Sequence, residues 1–195
     1  MMPSPTPALR AWVLTPVGLA EAERERLPRA LSSLCSTFAP LPSGLSMRIA
    51  RIDALAYRPF AEAHLYELSF LDPFTSMGRE ERHAYELELG WPVLGRIELY
   101  AQEGSKDDAL VLGHLAFAVA EHFGGVIDFG EELEPADGVY RTEAQTAAFF
   151  AALPGRMYEV AYETREGDLL VRHVCDGRLM RDWLRHPAFA MGRTP

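Results

Sequence analysis

"SKDDALVLGHLAFAVAEHFGGVID", residues 105–128, is the stretch on which the fold turns. From Ala109 to Phe123 it is apolar nearly all round a helical repeat. A helix with no face suited to water belongs in the centre of a core. Ser105 is placed to cap its start, and Asp107 and Asp108 sit at the positive end of the helix dipole. A buried central helix over 107–123 is therefore predicted. Gly124 falls where a helix ends on a left-handed residue, and the apolar run that follows reads as a strand.

The direction of this passage matters for chemistry. A phosphate cradle runs from strand to glycine loop to helix, so that free N–H groups face the anion. Here a helix enters Gly124-Gly125 and a strand leaves it. A helix C-terminus presents carbonyl oxygens, which repel phosphate. The glycine pair is an exit from a core helix rather than a nucleotide site.

Working toward the N-terminus, "LGRIELYAQ" (94–102) alternates as a strand does. "REERHAYELEL" (79–89) has the residue types of a helix, with Gly90 and Trp91-Pro92 as its stop, although Tyr85, Leu87 and Leu89 also alternate. "HLYELSF" (64–70) and the segment around Met47, Ile49 and Ile52 read as strands. Val17–Phe38 reads as one helix, with Leu27, Leu31, Leu34 and Phe38 at helical spacing, a kink at Pro28 and an end in Ala39–Gly44. Residues 8–15 make a first strand, and residues 1–7, with three prolines, a loose tail.

Toward the C-terminus, Arg141–Leu153 reads as a helix. "MYEVAYET", a turn at Arg165–Gly167 and "DLLVRHV" read as a hairpin, and Asp176 caps a last helix over 177–185 that stops before His186-Pro187. Hairpins and helical crossovers alternate. The expected architecture is a single α+β domain over 8–195, its mostly antiparallel or mixed sheet covered on one side by helices.

Composition narrows the function. The chain has 195 residues, 48% of them hydrophobic, which is enough for one well-buried core. Its net charge of −9 argues against bare nucleic acid, which is held by neutralising phosphates with Lys and Arg. The longest nearly apolar run, Ala109–Ala120, broken by His114, is too short to span a membrane, and the N-terminus lacks a basic segment before an apolar one. Cys35 and Cys175 are read as reduced thiols of a cytoplasmic protein.

No catalytic motif stands out, so no catalytic residues and no cofactor are expected. His173 and Cys175 share one face of a presumed strand, but spacing alone does not make a catalytic pair. His64, His83 and His186 are isolated in sequence, and His114 reads as a core histidine bonded to a backbone or tyrosine group. The residues after Gly130 are more pointed. Asp128, Glu131, Glu132, Glu134 and Asp137 place five acids in ten residues with no base among them. Such a run is either a solvated loop or a surface that steers and meets a basic partner. An EF-hand fails, because the glycine position from Asp128 holds Leu133. A looser metal-dependent enzyme site around His122 and Asp128 is the alternative reading.

Two segments, "LGHLAFAVAEHFGGVIDFG" and "LMRDWLRHPAFAM", resemble an uncharacterised bacterial family of small proteins associated with immunity partners of polymorphic or type VI secreted toxins. The resemblance covers about a third of the chain and carries no catalytic residues. It implies a protein that neutralises a cognate toxin by covering a basic active site or substrate groove. The family pattern continues with a glycine where this chain has Glu131, which makes the acid run particular to this protein. Glu131, Glu132, Glu134 and Asp137 are the expected contacts, with Asp128 either beside them or turned into the sheet.

Overall fold

The computed structural model of the chain describes residues 9–32, 34–35, 37–49, 64–102 and 104–191. Its strands are β1 (Leu9–Thr15), β2 (Thr37–Leu41), β3 (Gly44–Ile49), β4 (His64–Leu71), β5 (Gly95–Ala101), β6 (Val126–Asp128), β7 (Met157–Glu163) and β8 (Leu169–Cys175). The helices are α1 (Glu21–Ala30), α2 (Pro73–Ser76), α3 (Arg79–Leu89), α4 (Lys106–Phe123), α5 (Glu143–Ala151) and α6 (Gly177–Trp183). All eight strands join one sheet in the order β2-β3-β4-β5-β1-β6-β8-β7, and every neighbouring pair is antiparallel. The α+β class predicted from the sequence is the class observed.

The central helix forms as its residues dictate. The Ser105 hydroxyl accepts from Asp108 N–H, and the Asp108 carboxylate returns the bond to Ser105 N–H, closing a capping box. At the other end Gly124 takes φ 65°, and its N–H bonds to Ala120 O. Between them Val111, Leu112, Leu115, Ala116, Val119 and Ala120 are fully or almost fully buried. They meet Leu9, Ala11 and Val13 of β1 and Ile97 and Leu99 of β5. Helices α1 and α6 flank α4 on this side.

The expected one-sided cover is corrected by the second core. Residues of β1 alternate between faces, and Leu14 turns away from α4. With Val126, Val160 and Val174 it packs beneath Tyr85 and Leu89 of α3, across the sheet from α4. Helix α3 was placed correctly in sequence, but nothing local assigned its face. It covers only one end of the sheet, over β7.

The predicted helix Val17–Phe38 is shorter. It begins at Glu21 and ends at Ala30, two residues beyond Pro28. Proline lacks the N–H a helix needs and crowds the preceding turn. Phe38 lies on β2, an edge strand that tolerates Pro40 because one side of an edge needs no ladder partner. Ile52 and residues 1–7 fall outside the described residues. No helix among the described residues is long and apolar enough to cross a membrane.

Two predictions follow from the core. Leu115 of α4 is fully buried against the sheet, so Leu115→Ala is expected to lower unfolding stability by about 3 kcal/mol in urea titration. The hydrogen bond expected for His114 is absent among the described residues. Burial, reinforced by the Arg185 guanidinium, pushes its imidazole down to about 4 from 6.5. Below pH 6.5 the unfolded chain takes up a proton that the folded chain refuses until about pH 4. Stability therefore falls as pH drops through that window, by at most about 1.4 kcal/mol per pH unit for this group. Thermal melts of His114→Gln should show a shallower pH slope there.

Candidate functional site

The acid run forms one wall of an open groove of about 690 Å³. Its lining comes from Glu131–Ala136, from Leu169–Val171 at the start of β8, and from Ala190 and Met191 near the C-terminus. Each wall is fixed by hydrogen bonds. His173 N–H donates to Glu131 O at 3.3 Å, and Ala136 N–H to Ala188 O at 2.8 Å. Leu133 N–H donates to the His173 ring at Nδ1, 2.8 Å away, while the Leu133 side chain is fully buried. The far wall is held by Trp183, whose indole N–H donates to Ala190 O at 3.2 Å.

That arrangement settles the state of His173. Its Nδ1 accepts a backbone proton, so the ring is neutral with its own proton on Nε2. Burial lowers its affinity for a second proton, against the opposing pull of Glu132, Glu159 and Glu143. Cys175, two residues on, is fully buried, and that burial pushes its thiol up. The pair suggested by spacing is a structural histidine beside an inert thiol.

The five acids separate. Glu132 and Glu134 are exposed on the groove, and Glu131 is partly buried beside them. Asp137 is exposed too, but both its oxygens are taken by the Arg141 guanidinium, and Oδ1 also accepts from Val139 N–H. The Arg141 bonds hold its carboxyl well below the usual carboxylate range. Asp128 leaves the surface altogether at 1% exposure. It points to the α3 face, accepts from the Tyr85 hydroxyl and from Gly130 N–H at 2.7 Å each, and has Arg172 Nη1 at 3.6 Å. An alternating strand could send Asp128 either way, and only the neighbouring donors choose.

The alternative metal site does not assemble. His122 belongs to α4, with Nε2 3.7 Å from Glu23 of α1. Asp128 faces α3 across the sheet. Among the described residues no group of three or more His, Cys, Asp and Glu side chains is placed to hold a metal ion.

Sequence reasoning missed the groove's apolar part. Leu169 is 71% exposed and Leu170 is 39% exposed. Two adjacent leucines on a strand must face opposite sides, so the Leu169-Leu170 pair at the start of a hairpin strand was the available signal. It also missed a tie on the α4 side. Asp108 Oδ1 lies 2.7 Å from both the Tyr66 hydroxyl and His64 Nδ1. Burial raises its carboxyl, but the bonds from Ser105, His64 and Tyr66 prevail and lower it. His64, isolated in sequence, thus helps to anchor the start of α4 to β4. Chemically the groove offers carboxylates beside exposed aliphatic carbon, a combination suited to a basic, partly apolar polypeptide.

Residues 7–192 match a protein family of unknown function (DUF6368), and the chain belongs to that family. No curated protein and no solved structure matches the chain.

The separation of the acids predicts separate effects on stability. Asp128→Ala removes the acceptor of Tyr85 and leaves Arg172 without its nearest carboxylate, so it is expected to cost about 3–5 kcal/mol in chemical denaturation. Glu132→Gln and Glu134→Gln, exposed and outside the core, should each stay within about 0.5 kcal/mol.

Proposed function

We propose that this family member is a non-enzymatic binding protein of the immunity type, which neutralises a cognate bacterial toxin by covering a basic active site or substrate groove. The observation that carries the reading is the groove at Glu131–Ala136, where carboxylates line the same wall-to-wall space as exposed leucines. Carboxylates at a rim steer a basic partner and set its register, while apolar surface released from water supplies affinity. A net charge of −9 adds long-range attraction of the same sign. Toxins that act on nucleic acids or phosphorylated nucleotides carry basic sites, which acidic groups match.

The contacts carrying this proposal are Glu131, Glu132 and Glu134. Asp137 is spent on Arg141 and acts on the shape of the loop, and Asp128 acts from within the core.

Where a toxin-like gene lies beside this one, its product is the first ligand to measure, by calorimetric titration over a range of salt concentrations. Combined Glu131→Lys, Glu132→Lys and Glu134→Lys substitution is expected to weaken binding at least about a hundredfold and to flatten its salt dependence. Asp137→Asn should change affinity by less than about threefold, since its oxygens already serve Arg141. Unchanged affinity and salt slope in the triple variant would refute the assignment.

A further inference from the structure

Backbone, as well as side chains, faces the groove. In the β7–β8 hairpin, Tyr158 pairs with Val174, Val160 with Arg172 and Tyr162 with Leu170. Thr164 N–H donates to Asp168 O, and Asp176 N–H to Arg156 O, in the same register. In an antiparallel ladder only alternate residues exchange hydrogen bonds with a given neighbour. These bonds fix the phase: even-numbered residues of β8 turn their N–H and C=O toward β7, and odd-numbered residues turn away. The other side agrees, because Phe129 N–H donates to His173 O and His173 N–H to Glu131 O.

Strand β6 has ended at Asp128, and the chain has bulged at Gly130, so pairing along this side of β8 stops at His173. Val171 and Leu169 continue outward with the same phase. Among the described residues no hydrogen bond reaches their two N–H and two C=O groups on this side. Both residues line the groove, opposite Glu131–Ala136. Among the described residues the result is a short open strand edge with an apolar rim on one side and carboxylates on the other.

An open edge is a template for any extended chain. Its surroundings discriminate among occupants. A second copy of this protein would bring net charge −9 against −9 and acid wall against acid wall. An extended basic segment meets Glu132 and Glu134 with opposite charge while its backbone completes the ladder. We infer that the partner contributes an extended, basic segment with apolar residues at alternating positions, which adds as a strand beside Leu169–Val171. This inference rests on the partner-binding reading above and specifies how that groove is engaged.

A six-residue peptide of alternating lysine and valine, capped at both ends, serves as the probe, and binding is followed by amide chemical shifts and amide exchange of the intact protein. Binding in the millimolar range is expected, with the Val171 and Leu169 amides shifted and protected. The same peptide N-methylated at alternate residues, on whichever set faces the edge, should bind at least about tenfold more weakly, because it cannot donate to the ladder. Removing donors from the peptide leaves the protein fold untouched.

Equal binding of both N-methylated forms, with affinity still lost in Glu132→Lys/Glu134→Lys, would overturn strand addition and leave the partner reading standing. No binding of any form, with no response to salt, would overturn both. Concentration-dependent protection of the Val171 and Leu169 amides without peptide would show a second copy in the slot and overturn the inference.

Discussion

A carboxylate buried in a sheet must find donors, and the way Asp128 finds them shapes the rest of the molecule. Its two donors come from separate elements, the Tyr85 hydroxyl on α3 and the Gly130 N–H just beyond β6, and the Arg172 guanidinium on β8 adds an opposite charge at 3.6 Å. Tyr85 holds α3 to its face of the sheet. Gly130 reaches back to Asp128 at φ 79°, a backbone state for which glycine is suited. A Cβ there would also lie 2.3 Å from the Trp12 ring. The bend ends β6 after three residues, which leaves the outer half of β8 uncovered and sends the acid run across the gap. Core polarity and surface groove are consequences of one buried group.

Arg172 makes the link two-sided. Burial opposes its charge, but Asp128, Tyr85, Tyr162 and Glu81 together favour it, and the guanidinium stays protonated. It lies over the rings of Trp12 and Tyr162 at 5.6 Å each. A cation held this way is less exposed to water and supports the aromatic side chains around it. On the opposite face Asp108 does comparable work for α4, drawing bonds from Ser105, Tyr66 and His64. Each face of the sheet therefore has a helix tied down by one buried aspartate, and the groove opens along β8 where β6 has ended.

Much of the fold was legible because local patterns carried it. Helix α4 announced itself by a length of apolar sequence that no surface helix could have, and its ends by Ser105 and Gly124. The β7–β8 hairpin followed from alternation about a glycine turn. The failure at Val17–Phe38 has a local cause as well, since Pro28 limits helix length and Thr37 and Phe38 favour a strand once a partner such as β3 is present. The site was legible only in part. The acid run was visible as charge, whereas the leucines opposite it lie more than thirty residues away and became a wall only through the pairing of β8.

By itself the sequence determined the α+β class, the buried helix, the reversed order that rules out a phosphate cradle, and the concentration of acid after Gly130. These depend on periodicity, caps and charge, which act between near neighbours. Tertiary structure decided which face α3 covers, that Asp128 turns inward and Asp137 pairs with Arg141, and that a strand edge left unpaired among the described residues meets Glu132 and Glu134. Such outcomes depend on donors and surfaces supplied by distant segments, and alternation along a strand says that a side chain has a side without saying which one.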